Sequence, residues 1–489
     1  MFQCWKNFPN KLFIIYLLSF KTDLFFGMKI FKSFKKFKKK TAIIFDNDLS
    51  LSYEDILFKT NKIKKNVFKR SLILIISENS IGSLLSYLFC VLNNHVALII
   101  DNKTSLENID KIIINYNPNY IFASNILKKN LKNKFIKIDE IYDQKLYKNK
   151  IYKKINLNKN LSLLLSTSGS MGSSKFVKLS SLNLKSNTDS IVSYLMLSKK
   201  DIAITNLPSS YSYMLSIINS HFEVGGTISI SNNSIIQKEF WNNYFSSKPT
   251  SFNGVPYTYE ILIKIGLKKI ITNKLKYITQ AGGKLNDENH LKLVKFCKKN
   301  KLKLFIMYGQ TEASPRISYL KPMFSNKKIG SIGKAIPGIK MYLTNESKKK
   351  IKKPYKKGEI ICEGKNVFMG YSKNYRDLTK NNENNFKLKT GDLGYFDEDK
   401  FFFLTGRKNK ITKIFGNRID LDQLETLLKS SGYKVICLGK NNKIFVFTEI
   451  NYNKTKLLSM VSKLTNLNII SLELIKIKIF PRTINKKID

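Results

Sequence analysis

The sequence predicts an α/β fold: a large N-terminal domain of mostly parallel sheets with flanking helices, a β-rich subdomain within it, and a small α+β domain at the C-terminus. Three observations carry this expectation. From Thr41 to Met307, short continuous apolar runs alternate with longer amphipathic stretches, the pattern of strands buried on both faces and separated by helices. Beyond residue 315 short β-rich pieces stand between glycines at 330, 333, 338, 358, 364 and 370, which reads as antiparallel strands joined by tight turns. From Lys408 to the end, roughly 80 residues form a compact helix and strand pattern of small-domain size. The expected boundaries are 1–27 for an N-terminal extension, 28–407 for the large domain with its β-rich part at about 316–407, and 408–489 for the small one.

Taken in order, Thr41–Phe45 reads as a strand and Tyr53–Lys69 as a helix capped by Ser52. Strands at Leu72–Ile76, Val96–Ile100 and Tyr120–Phe122 alternate with helices at Ile81–Leu92 and Leu106–Tyr116. Leu161–Leu165 is a further buried strand, broken abruptly by Ser166-Thr-Ser-Gly-Ser-Met-Gly-Ser-Ser-Lys175. The alternation then resumes with strands at Ile202–Thr205, Thr227–Ile230, Ser251–Phe252, Tyr277–Thr279 and Leu302–Met307. Helices are expected between them at 213–223, 235–247, 256–265 and 286–299. Short strands follow at Met341–Leu343 and Glu359–Cys362. The last part is read as a helix at 421–428, strands at 434–438 and 443–448, a helix at 454–464 and a final strand at Ile475–Phe480.

A length of 489 residues with 43% hydrophobic and 12% aromatic content excludes a disordered chain and a small disulfide-stapled module. The net charge of +50 comes from lysines spread along the whole chain, so it reads as solvated surface and no specific nucleic-acid partner is expected. The densest run, Lys29–Lys40 (KIFKSFKKFKKK), is interleaved with Phe and leaves a peripheral membrane contact open. Cysteines at 4, 90, 297, 362 and 437 lack CxxC spacing, which points to free thiols in a reducing, cytoplasmic compartment. The isolated histidines 95, 221 and 290 argue against a His/Cys metal site. The apolar run Lys11–Phe20 is too short to span a bilayer and has no small-residue cleavage site after it. Met28 offers a second start, so residues 1–27 read either as a membrane-associating tail or as an over-extended start.

The chemistry sits at strand ends. In the stretch Ser166–Lys175, Gly169 and Gly172 let backbone N–H groups turn inward, hydroxyls add donors and Lys175 adds a point charge, which together suit a bound phosphate. The stretch departs from the GxxxxGK[ST] loop, since Ser174 precedes the lysine and Phe176 follows it. Tyr308-Gly-Gln-Thr-Glu312 and Gln280-Ala-Gly-Gly283 each close a strand where ligands bind in open α/β sheets. Thr390-Gly-Asp392 puts a carboxylate on a turn, and Gly406-Arg407, Gly416–Ile419 and Pro481–Asp489 follow. Any one of these, alone, also reads as an ordinary turn.

In this order the segments resemble the adenylate-forming superfamily, which includes acyl-CoA synthetases, the adenylation domains of peptide synthetases and luciferase-like ligases. The resemblance runs from Ser52-Tyr53-Glu54 to the last residue. It implies an AMP-forming acid-thiol ligase: a small-molecule carboxylic acid attacks the α-phosphate of ATP, and the thiol of coenzyme A or of an acyl carrier protein's phosphopantetheine then takes the acyl group. It further implies that Ser168, Gly169, Ser170 and Lys175 hold the β- and γ-phosphates, with Thr167 and Gly172 in the same loop, and that Thr311 contacts the α-phosphate. Glu312, with Thr167, would hold Mg²⁺. Tyr308 would stack on adenine beside Gly309 and Gln310, Gly282 and Gly283 would allow close backbone approach, and Asp392 with Arg407 would take the ribose hydroxyls. Lys487 matches the lysine of the mobile C-terminal domain that bridges carboxylate and α-phosphate, although Lys486 stands where the family has Gly, so either lysine fits. At the hinge the chain has Asn409 in place of the usual Asp or Lys.

Two alternatives stay open at this stage. The fold could activate an amino acid for a carrier protein, but the position of the ammonium-pairing Asp is Ser212, beside Tyr211 at the gating position. An unpaired buried ammonium costs about 3–5 kcal/mol, which favours an acid without an α-amino group. The chain could instead be a non-catalytic scaffold that binds membranes or polyanions through Lys29–Lys40.

Overall fold

The computed structural model describes residues 31, 34–46, 49–67, 69–124, 134–152, 155–166, 175–414, 417–465 and 467–481. Two large sheets organise the N-terminal domain. The larger runs from one edge as Lys340–Thr344, Gly358–Glu363, Lys387–Phe396, Phe402–Arg407, Ser331–Ala335, Arg316–Leu320, Lys303–Gly309, Tyr277–Gln280, Ser251–Gly254, Ile202–Thr205, Thr227–Ile230, Thr41–Phe45 and Leu49–Ser52. The second runs as Gly370–Ser372, Phe176–Ser180, Leu161–Ser166, Val96–Asp101, Leu72–Ser77, Tyr120–Ala123, Gln144–Asn149 and Phe135–Ile141. Both are parallel at the centre and antiparallel at the flanks. The strands after residue 315 extend the larger sheet, and Gly370–Ser372 crosses to the second.

Most expected elements are present, some with shifted ends. The helix Tyr53–Lys64 starts at Ser52, whose hydroxyl accepts from the Asp55 N–H while Asp55 accepts from the Ser52 N–H, a reciprocal cap that satisfies two orphan donors. Ile81–Leu92 and Ser212–Glu223 are buried on nearly every face, as helices enclosed on all sides must be. They share one core with apolar side chains from both sheets. The strand Phe176–Ser180, not expected from the pattern, pairs back antiparallel on Leu161–Ser166.

The small C-terminal domain is α+β, with a three-stranded sheet, the helices Leu421–Ser430 and Lys454–Thr465, and a core drawn entirely from its own residues. Its last strand is Leu472–Lys476, earlier than the expected Ile475–Phe480. Leu472 is the residue that enters the core, and it pairs with Ile444.

Among its described residues, the basic run near the N-terminus presents no apolar face to solvent. Phe31 and Phe34 are buried, and both rings pack edge-on to Phe222, with Phe34 also against Tyr53. Phe37 lies against the bare Cα of Gly225. The phenylalanines that left a membrane contact open are spent on the core, and the exposed lysines 35, 36, 38 and 39 remain without an insertable partner face. No helix among the described residues is long and apolar enough to cross a membrane.

Candidate functional site

The strand Lys303–Gly309 ends at Tyr308, and its parallel neighbour Tyr277–Gln280 ends beside it. Gly309 is required where the chain turns back, because a Cβ there would collide with the Pro315 carbonyl. The Tyr308 hydroxyl donates to Asp392 Oδ2 at 2.6 Å, and Arg407 Nε forms an ion pair with Asp392 Oδ1 at 2.9 Å. Asp392 and Arg407 face each other across the hairpin of Lys387–Phe396 and Phe402–Arg407. Burial, and then the Asp392 charge, push the Tyr308 phenol well above its ordinary range. Gln310 ties the same turn to the hairpin through a bond from Nε2 to the Thr390 carbonyl at 3.2 Å.

Thr311 and Glu312 follow in a single 3₁₀ turn. Thr311 Oγ1 lies 3.2 Å from Ser212 Oγ at the start of the helix Ser212–Glu223. Glu312 is buried and accepts a bond from the Tyr371 hydroxyl at 2.9 Å. Tyr371 arrives on Gly370–Ser372, which pairs with Phe176–Ser180, and Lys175 Nζ sits 3.6 Å from the centre of its ring. Burial and the Glu312 charge raise the Tyr371 phenol above its ordinary value. A chain of contacts thus joins the end of the Ser/Gly stretch to the carboxylate. No lysine or arginine among the described residues forms an ion pair with Glu312.

The third wall is Gln280-Ala-Gly-Gly283, closed by a bond from Gln280 Nε2 to the Gly283 carbonyl at 2.9 Å. Gly282 has φ +84°, and a Cβ there would run into the Tyr211 hydroxyl. Tyr211 is half-buried against the core, whereas Tyr213 is fully buried. An open cleft of about 410 Å³ lies beside Tyr211, between Asn79, Asp101, Asn206, Asn233 and Val255. Arg316, opposite Gly309 in register, places its guanidinium 4.3 Å from the centre of the Tyr213 ring.

The structure therefore brings together Lys175, Gly282, Gly283, Tyr308, Gly309, Gln310, Thr311, Glu312, Asp392 and Arg407. Thr167, Ser168, Gly169, Ser170, Gly172, Lys486 and Lys487 lie outside the described residues, as do residues 1–27. Two residues had not been singled out for roles they occupy here: Tyr371 as the partner of Glu312, and Arg316. A lone charge inside the otherwise uncharged strand Arg316-Ile-Ser-Tyr-Leu320 was the available signal for the second.

Residues 30–372 match the AMP-binding enzyme family. A 2-succinylbenzoate–CoA ligase of Bacillus subtilis is 33% identical over 143 residues, covering 29% of this chain and 28% of that enzyme, so the matched part spans under a third of its length. The 2-succinylbenzoate–CoA ligase of Oceanobacillus iheyensis is 24% identical over 399 residues, covering 80% of each chain. The solved structure of the Bacillus subtilis o-succinylbenzoate CoA synthetase with its acyl-adenylate intermediate superposes with a TM-score of 0.74 at 17% identity, over 95% of this chain and 97% of the other; the two share a fold.

Proposed function

Since the chain belongs to the AMP-binding enzyme family, we propose that it is an ATP-dependent ligase that joins a carboxylic acid to a thiol through an acyl-adenylate, releasing pyrophosphate and then AMP. The observation that carries this reading is the placement of the Tyr308–Asp392–Arg407 cluster next to Thr311 and Glu312, at the C-terminal ends of parallel strands. Asp392 is a held acceptor for ribose hydroxyls, and Arg407 and Tyr308 fix its plane so that it need not reorganise when a nucleotide arrives.

Glu312 fits a divalent cation bound mainly through substrate phosphates. It is a buried carboxylate without an ion pair among the described residues, in a chain rich in lysine. Mg²⁺, a hard cation commonly held by one or two carboxylates together with substrate phosphates, would take Glu312 as its protein oxygen ligand. When bound, Mg²⁺ supplies charge neutralisation at the phosphates. Lys175, held above Tyr371, adds a cation on the same side, and Thr311 offers its hydroxyl to the α-phosphate. The acid's carboxylate oxygen then attacks the α-phosphorus and the bond to pyrophosphate breaks. Lys487, or Lys486 beside it, supplies the cation that brings these two anions together.

In the second half-reaction the thiol sulfur bonds to the acyl carbon, the acyl carbon–oxygen bond of the mixed anhydride breaks so that AMP leaves with the bridging oxygen, and the thiol proton passes to solvent. The cleft beside Tyr211 is where a pantetheine arm would enter, and coenzyme A or a carrier protein would present it. Cys90, Cys297, Cys362 and Cys437 are free buried thiols, which suits the reducing cytoplasm. Activation of an amino acid is disfavoured by Ser212, whose hydroxyl faces Thr311 and offers an ammonium no charge. ATP–pyrophosphate exchange across a panel of carboxylic acids tests the reading. Exchange driven by acids without an amino group supports it, and exchange driven by amino acids alone overturns it. In the same assay Lys486→Ala with Lys487→Ala should lower exchange by about 100-fold or more while ATP still binds; full exchange in the double variant would remove both lysines from the mechanism.

A further inference from the structure

One buried charge behind the site takes no part in the chemistry described above. Lys178 stands in the middle of the strand Phe176–Ser180, its side chain fully buried. Its ammonium donates to the Asp377 carbonyl at 3.1 Å and lies 4.0 Å from Glu383 Oε2. Burial draws the ammonium below the usual lysine range, and the charges of Glu383 and Asp377 draw it back up. Taking a charge out of water is costly, and an apolar side chain would fill this strand position without that cost.

The neighbouring strand shows what the charge holds. Lys178 pairs in register with Gly370, and Phe176 with Ser372. Gly370 has φ +123°, and a Cβ there would collide with Glu383 Oε2; its bare Cα leaves room for the Glu383 carboxylate to reach across the strand towards Lys178. The Glu383 N–H donates to the Met369 carbonyl and the Met369 N–H to the Lys178 carbonyl, which ties the three segments side by side. At the other end of the strand the Tyr116 hydroxyl donates to the Ser372 carbonyl at 2.8 Å, and the Tyr116 ring packs edge-on to Phe176. Tyr371 lies between these two anchors. Its hydroxyl donates to Glu312, and its ring receives Lys175. Resting on the reading that Glu312 takes the cation, we propose that Lys178 is a positioning residue: paired with Glu383 across Gly370, it holds Tyr371 where the hydroxyl reaches Glu312. Without it the strand keeps its backbone ladder but loses the charged tie at Gly370, and Tyr371 is free to swing away from the carboxylate.

The affinity of the full chain for ATP with Mg²⁺, read by titration calorimetry with metal-free AMP as the control, tests the inference. Lys178→Met keeps the length and apolar bulk and removes the charge. It should weaken binding of ATP with Mg²⁺ by about fivefold, the same loss as Tyr371→Phe, and leave AMP unchanged. Combined with Tyr371→Phe it should add little, because a tie that works through the Tyr371 hydroxyl has nothing left to act on; independent roles would multiply to about 25-fold. A general loosening of the fold produces neither that non-additivity nor the sparing of AMP. Glu383 is half-exposed, so Glu383→Gln is tolerated by the fold; it should show the same pattern at about twofold, and it decides the matter alone if Lys178→Met does not fold. Multiplying losses, equal losses for AMP, or full affinity in these variants or in Tyr371→Phe overturn the inference and leave the ligase reading to the exchange assay. If the unmodified chain binds ATP no more tightly with Mg²⁺ than without it, the reading of Glu312 falls and the inference goes with it.

Discussion

The two carboxylates of the site are held in opposite ways. Asp392 has both oxygens engaged, by the Tyr308 hydroxyl at 2.6 Å and by Arg407 Nε at 2.9 Å. Glu312 has one neutral hydroxyl, from Tyr371 at 2.9 Å, and no ion pair among the described residues. Both are buried. A carboxylate that must receive ribose hydroxyls can be neutralised in advance, because its partner is uncharged and always the same. A carboxylate reserved for a cation cannot, since a protein cation beside it would compete for the same charge. On the proposed reading, the site is prearranged at Asp392, where the nucleoside would be recognised, and left electrically open at Glu312, where charge would change during the reaction.

If that contrast is right, charge removal should hurt unequally at the two ends. Glu312→Gln keeps the shape and an acceptor for Tyr371 but removes the charge. It should lower exchange by about 100-fold or more, with extra Mg²⁺ restoring little; an effect below tenfold would mean that the cation is held elsewhere. Asp392→Asn should act on nucleotide affinity instead. Losing one acceptor bonded to a charged group is worth about 1.5–3 kcal/mol, so KM for ATP should rise by roughly 10- to 100-fold with kcat falling much less. A loss confined to kcat would show that Asp392 also serves the chemistry. Arg407 is mostly exposed, so leaving it unpaired should cost little stability.

The same contrast explains what was legible in the sequence. The central alternation of strands and helices was readable because residues such as Leu72–Ser77 and Val96–Asp101 are buried on both faces and form continuous apolar runs. Tyr308, Thr311, Glu312 and Asp392 stood out as candidates because a glycine or short polar run beside each breaks such a pattern, although Asp392, expected on a turn, lies like Tyr308 within a strand. The strand Phe176–Ser180 was not. It contains Lys178, buried because its Nζ donates to the Asp377 carbonyl at 3.1 Å, and a lysine in a short run reads as surface. The hairpin Phe135–Ile141 and Gln144–Asn149 was hidden by its charged solvent face. The link from Lys175 through Tyr371 to Glu312 joins residues almost 200 positions apart through strand pairing, and local pattern carries no trace of such a pairing.

The smallest expected effect is the most direct test of whether the two ends act separately. Tyr308→Phe removes only the hydroxyl on Asp392, and Tyr371→Phe only the hydroxyl on Glu312. Each should cost kcat/KM for ATP about 1 kcal/mol, or roughly fivefold. The two hydrogen-bonded groups share no residue: Tyr308, Asp392 and Arg407 form one, and Tyr371 with Glu312 forms the other, with Lys175 over the ring. Independent sites add to within about 0.3–0.5 kcal/mol, so the double variant should lose the product of the single losses. A coupling larger than that would mean that filling the ribose end alters how Glu312 is held, and the nucleoside would then help to assemble the cation site. Additivity would mean that the cation end is set by Tyr371 and Lys175 alone.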